Sequence, residues 1–453
     1  MKFLTGRPSF MRRALTVAAA GAIVAGTLAG CSSDGGDPEE PPVAGSDTDI
    51  EAALEAGGSL TYWSWTPQAE SQVAAFEKAY PNVDVELVNA GTGNDQYTKL
   101  QNSITAGSGV PDVVQIEYGA LPQFALSDSL LDLTPYGFGD LEDDYTESTW
   151  GQVVFDGKIY GLPQDSGPTA LFYNKTVFDQ YGIEVPTTWD EYLAAAEKLH
   201  AADPTKYITS DTGDAGFTMT SIWQAGGQPF SIDGTNVTVN LEDEGTQRWA
   251  NYWNQLVQND LVAPTAGWTD DWYKGLADGG VASLVIGAWM PGILEGSVPD
   301  AAGDWRVAPV PTWDGTPAAS ENGGGGQSVT KQSENPALAA GFLKWLNNSP
   351  ESLKIFTDEG GFPSTNAELT NDEFLNYESE YFGGQKINEV LGAAASEVVP
   401  GWSYLPFQVY ANSIFGDTAG QAWANKTDLN DGLIAWQDAI IEYGSQQGFT
   451  VSQ

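Results

Sequence analysis

From Ser59 onward, apolar positions alternate between two spacings. Leu60–Trp65 (LTYWSW) is a short apolar run that reads as a buried strand, and QAESQVAAFEKAY carries Val73, Phe76 and Tyr80 at helical spacing. VDVELV then alternates, with Val83, Val85 and Leu87 on one face. QYTKLQNSIT returns to the helical period through Tyr97, Leu100 and Ile104, and PDVVQI reads as a third buried strand. Strand, helix, strand, helix, strand predicts a βαβαβ unit and a mostly parallel sheet with helices on both faces.

The pattern continues after a break. Pro163 and Gly167-Pro168 interrupt regular structure before the strand ALFYN. In PTTWDEYLAAAEKL, Thr188 and Glu191 are spaced as a capping box, with Tyr192, Ala196 and Leu199 on the buried stripe. TQRWANYWNQLVQND places Trp249, Tyr252, Trp253 and Leu256 on one helix face, aromatics that read as core. Val281–Ala288 is a further buried strand, ending on Trp289.

The N-terminus is different. Lys2, Arg7, Arg12 and Arg13 precede a 16-residue apolar run, Ala14–Ala29, and then Gly30 and Cys31. A charged head, a short apolar segment and small residues describe an export signal; a membrane span needs about 20 residues. Leu28-Ala29-Gly30-Cys31 resembles a bacterial lipobox, which implies cleavage before Cys31 and a lipid on its sulfur. The alternative is an ordinary secretory signal with a stray cysteine. Residues 32–58 are small, acidic and proline-broken, and predict a flexible tether with a reach of about 30 Å.

Composition narrows the chemistry. Cys31 is the single cysteine and His200 the single histidine, so disulfides, thiolate nucleophiles, zinc sites and histidine triads are hard to build. No cofactor and no metal is expected. Without residues 1–30 the chain carries 14 Lys and Arg against 61 Asp and Glu, a net of −47. Such a field repels nucleic acid and anionic lipid. The 395 residues from Ser59 suit two domains.

In open α/β sheets, ligands bind beyond the carboxyl ends of the strands. Those ends offer Trp65, then the Asn89–Gln96 loop with Asn94 and Gln96, then Glu117 and Tyr118. An aromatic plate, amides and a carboxylate suit a polar, uncharged ligand. Trp63 competes with Trp65 for the outward-facing position.

FEKAYPNVDVELV, GKIYGLPQDSGPTALFYNKTVFDQYGIEVPTTWDEYLAAAEKL, GGVASLVIGAW and ALAAGFLKWLNNSPES occur in the order of family 1 extracellular solute-binding proteins, the sugar-capturing lipoproteins of bacterial ABC importers. The chain resembles that family, the maltose-binding type included, from Ser59 to the C-terminus. The resemblance implies a two-lobed α/β fold of the type II periplasmic-binding class, each lobe a mostly parallel sheet flanked by helices, with ligand in the cleft between them. Local breaks place the lobes at 59–165 with 324–361, and 166–323 with 362–453, after a signal at 1–30 and a tether at 31–58. The tryptophans aligned with the family's sugar platform are Trp289 and Trp402, with the region round Trp223. Local signals place three chain crossings between the lobes, Leu162–Pro168, the glycine cluster Glu321–Ser328 and Gly360–Thr365, and Asp165 in the first and Gly325 in the second complete the predicted contacts.

The function so implied is capture of a carbohydrate, an oligosaccharide above all, by lobe closure and without catalysis. The protein would be a monomer held by Cys31 on the extracytoplasmic face of the cell membrane, as on a Gram-positive surface, delivering to ABC permease subunits. Two other classes stay open: a clamshell receptor for polyamines or peptides, and a secreted glycoside hydrolase, which needs only two suitably spaced carboxylates.

Overall fold

The computed structural model describes residues 47–211 and 213–453. The export signal, Cys31 and the first part of the tether lie outside the described residues. The remainder of the tether corrects the expectation of an unstructured segment reaching Gly58. Helix α1, Asp47–Ala56, docks on the helix Pro336–Asn348. Its apolar residues Ile50 and Leu54 sit one turn apart and close over Gly341, where an added Cβ would lie 3.0 Å from Leu54 Cγ. The acidic composition hid a helical stripe.

The first lobe is built on a five-stranded sheet. Strands β1 (Gly58–Trp63), β2 (Val83–Val88) and β3 (Val113–Glu117) pair in parallel in the order β2-β1-β3, connected by helices α2 (Ala69–Ala79) and α3 (Asn94–Ala106). This is the βαβαβ unit read from periodicity. Two strands from later in the chain complete it: Gly325–Val329 lies antiparallel between β3 and Leu162–Asp165. Phe76, Leu100, Val113 and Phe342 are buried in the core of this lobe.

In the second lobe, strand Thr169–Asn174 is flanked by Ser283–Gly287 and Trp305–Ala308, both antiparallel to it. The expectation of a mostly parallel sheet is therefore corrected for this lobe. The middle strand leaves the crossing from the first lobe, whereas its neighbours run back toward that crossing. Alternation along the middle strand feeds two cores. Leu171 faces one cluster with Trp249, Trp253 and Trp436, while Ala170 and Phe172 face another with Trp272 and Trp305. The helix Glu244–Gln258 buries Trp249, Tyr252, Trp253 and Leu256 as its spacing predicts. The capping box at Thr188 and Glu191 is present in the helix Trp189–Ala202.

Three crossings join the lobes, and they are laced to one another. The Ser166 N–H donates to Phe362 O at 3.2 Å, Asn322 N–H to Gly167 O at 2.8 Å, and Thr169 N–H to Ser320 O at 2.8 Å. Among the described residues no helix is long and apolar enough to cross a membrane.

Candidate functional site

A cleft of about 1240 Å³ opens between the lobes. The first lobe contributes Trp65, Gln115 and Glu117; the second contributes Trp289, Glu295 and Tyr377; the crossings contribute Asp165, Ser166 and Gly323–Gly325.

Trp65 follows β1 and is half-buried, its backbone N–H held by Gln115 Oε1 at 3.0 Å and its ring edge-on to Tyr97 at 6.1 Å. Trp63 is buried in the core, which decides which of the two indoles reaches the cleft. Tyr97 donates its hydroxyl to Glu117 Oε2 at 2.8 Å and accepts from the Glu117 N–H at 3.0 Å. The Glu117 carboxylate at the end of β3 is thus fixed in direction. Solvent in the cleft still reaches it, although the surrounding protein raises its pKa, with the Tyr97 hydrogen bond opposing that rise.

On the opposite wall, the Trp289 N–H donates to Asn322 O at 2.6 Å. The indole edge lies in a slot that only glycine permits: a Cβ on Gly287 would stand 2.5 Å from Trp289 Nε1. Asn322 belongs to the second crossing, so this plate is tied directly to that crossing. At the floor of the cleft, Asp165 Oδ1 accepts from the Gly325 N–H at 2.6 Å, and the Tyr118 hydroxyl donates to Asp165 O at 2.8 Å. Gly324 passes over the Tyr118 ring at φ +89°, where a side chain would clash.

The crossings hold two protonatable carboxyls. Burial pushes Asp165 up to about 7; the Gly325 N–H opposes this and the charge of Glu117 adds to it. Burial likewise pushes Glu321 up to about 7, against hydrogen bonds from the Gly167 N–H and the Ser148 hydroxyl. Near neutrality both carboxyls are therefore shared between donor and acceptor forms.

Several residues predicted for the site stand elsewhere. Trp223 and Trp402 stack on each other inside the second lobe, 2% and 6% exposed, and neither lines the cleft. Their breaks in the pattern coincide with this packing. The segment after Trp402 does touch the first lobe, through Gln152 Nε2 on Trp402 O and Tyr404 against Gly119. Gln96 is buried, with its amide donated to Gln115 O at 2.8 Å and its Oε1 unpartnered among the described residues. Asn94 is exposed at the start of α3 and is not among the cleft-lining residues, and Tyr118 is buried beneath the cleft. Sequence reasoning missed Gln68, Ser166, Phe362 and Tyr377, which line the cleft from loops without periodic signal. Ser166 Oγ is buried and has no partner among the described residues.

The profile of the bacterial extracellular solute-binding protein family matches residues 62–351. The chain belongs to this family. Among solute-binding proteins of known structure, an ABC transporter associated binding protein from B. animalis subsp. lactis Bl-04, in complex with β-1,6-galactobiose, is 43% identical with a TM-score of 0.79. It is covered over 99% of its length by 87% of this chain. The galacto-N-biose-/lacto-N-biose I-binding protein of a Bifidobacterium longum ABC transporter is 28% identical with a TM-score of 0.77, at coverages of 88% of this chain and 99% of its own. An arabinooligosaccharide-binding protein of Halalkalibacterium halodurans is 26% identical over 364 residues, which are 77% of this chain and 80% of that protein. The two-lobed α/β solute-binding fold is thus common to this chain and its relatives of known structure.

Proposed function

We propose that the protein captures an oligosaccharide in the interlobe cleft and presents it, lobes closed, to the permease of an ABC importer. The observation that supports this reading is that Trp65 from one lobe and Trp289 from the other line one cleft together with Glu117 and Asp165. Indole faces match the C–H faces of sugar rings, and carboxylates accept from ring hydroxyls in short, strong bonds. The relatives that bind galactobiose, lacto-N-biose and arabinooligosaccharides support the ligand class.

Binding without turnover accords with the family. Sugar favours the closed arrangement because only there do both walls touch it, which is a population shift between two states. The crossings at 162–168, 321–328 and 360–365 are the segments we assign to that rotation, separating lobes 59–165 with 324–361 and 166–323 with 362–453. Cys31 is assigned as the lipid attachment point, holding the monomer at the extracytoplasmic membrane face.

A second reading has one observation in its favour. Seven carboxylates and a single lysine, Lys354, line the cleft, which suits a polyamine. Two of those acids, Asp358 and Glu373, already pair with Lys354 at 3.0 and 3.4 Å, and Asp165 holds its proton up to about 7. The charge available to a cation is smaller than the count.

Titration calorimetry with galacto-, arabino- and malto-oligosaccharides and with spermidine separates the two. Heat with a sugar and none with spermidine is the expected outcome; the reverse would establish the polyamine receptor. Any shortened sugar after long incubation would instead reveal a hydrolase.

A further inference from the structure

Trp268 stands out among the described residues. It is one of four large hydrophobic side chains that remain exposed, at 44%. It is also held at φ +66°, a left-handed conformation that a bulky residue adopts only when its surroundings enforce it. Its ring packs on Trp272 at 4.9 Å and on Trp289 at 5.7 Å, tilted 38° to the latter. Trp289 lines the cleft; Trp268 is not part of that wall. An indole ladder therefore runs from buried Trp272 through exposed Trp268 to the cleft plate.

Local structure accounts for only part of this. Thr269 caps the helix Asp270–Ala277, accepting from the Trp272 N–H, and Trp268 precedes the cap, where an apolar residue packs on the first turn. Any aliphatic side chain serves there. That role requires neither a half-exposed indole nor its contact with Trp289. The cleft meanwhile exceeds the roughly 300–1,000 Å³ of an ordinary small-molecule pocket, so it has room for a ligand of several rings.

We propose that Trp268 is a length-determining ligand contact: the far ring of an oligosaccharide that stacks on Trp289 leaves the cleft and lies on the exposed face of Trp268. This rests on the carbohydrate reading of the cleft. The ligand class it selects is a chain of three or more sugar rings, and affinity rises with length until that second plate is covered.

The test is calorimetry of full-length wild type, Trp268→Ala, Trp268→Gly and Trp268→Phe with galacto-, arabino- and malto-oligosaccharides of two, three and four rings. Trp268→Gly accommodates the positive φ, so the loop fold survives the loss of the ring; circular dichroism and melting temperature check that it does. The expected result is that Ala and Gly weaken the tri- and tetrasaccharide of the bound series by about fivefold or more. The disaccharide stays within about twofold, and Phe restores most of the loss. An equal loss at every length would make Trp268 a support for Trp289 and overturn the inference. So would no loss at any length, or a wild type whose affinity does not rise beyond two rings. A wild type that binds none of the three series overturns the carbohydrate reading itself, and this inference with it.

Discussion

Trp223 and Trp402 lie face to face, ring centroids 5.1 Å apart and planes within 6° of parallel. The Trp223 N–H donates to Val399 O at 2.6 Å, and Phe230 closes edge-on against Trp402 at 6.1 Å. Each indole covers one face of the other, and both are buried among second-lobe side chains and do not line the cleft. Trp402→Ala is therefore expected to cost about 3–5 kcal/mol of stability, the range for emptying an aromatic site. Affinity of the folded fraction should change little. Urea unfolding paired with calorimetry checks both; a large affinity loss at unchanged stability would return Trp402 to the ligand.

Trp289 makes the opposite prediction. Its ring is half-buried: the N–H donates to Asn322 O and the ring packs on Trp268, while the side chain still lines the cleft. Trp289→Ala should weaken sugar binding by roughly 2–4 kcal/mol, as for a central hot spot. A loss below about 0.5 kcal/mol would remove it from the site.

Tyr97 orients Glu117 from beneath the cleft. Tyr97→Phe keeps the ring against Trp65 and Phe124 but deletes the hydroxyl. The Glu117 pKa should rise further, and ligand should bind about 1 kcal/mol more weakly, the usual net worth of one hydrogen bond. Calorimetry at increasing pH should show the loss shrinking, because Glu117 is then ionised in both proteins.

Three buried carboxyls set a pH dependence of stability. Asp165 and Glu321 hold their protons up to about 7 and Asp211 up to about 6, each chiefly through burial. In the unfolded chain such groups release theirs near pH 4. Between about pH 4 and pH 7 the folded state thus binds more protons, so stability falls as pH rises through that window and levels off above it. The depressed carboxyls Glu191, Asp203, Asp314 and Asp428 act the other way, with stability lost only as pH falls below about 4. Glu321→Gln should flatten the decline between pH 5 and pH 8 by on the order of 1–3 kcal/mol, measured by urea unfolding at both values. An unchanged slope would show that Glu321 is ionised throughout.

The docking of α1 is testable in the same way. At Gly341 an added side chain meets Leu54 and Ile50 at about 3.0–3.1 Å. Gly341→Val should displace the helix at a cost of about 1–3 kcal/mol, the range for overpacking. Limited proteolysis would then cut within 47–56 in the variant and not in the wild type.

Elements whose side chains alternate between one core and solvent are legible from residue spacing alone. β2, α2 and α3 follow from the spacing of Val83 and Val85, of Val73 and Phe76, and of Tyr97 and Leu100. The helix Glu244–Gln258 is equally plain, because four large apolar residues at helical spacing leave no other face to bury. α1 is not, since an acidic, proline-broken context outweighs two apolar residues.

By itself the spacing of residues determined the βαβαβ unit, the order of its elements and the placing of Trp65 and Trp289 at strand ends, because periodicity and chain breaks are local properties; the two-lobed architecture came from the resemblance to a family. Only the tertiary structure decided which indoles face the cleft. Trp223 and Trp402 carry the same local signal as Trp289, but burial depends on what stands opposite, and what stands opposite each of them is the other. The antiparallel pairing in the second lobe was decided there too, because strand direction is set by where the chain returns from, and periodicity carries no record of that.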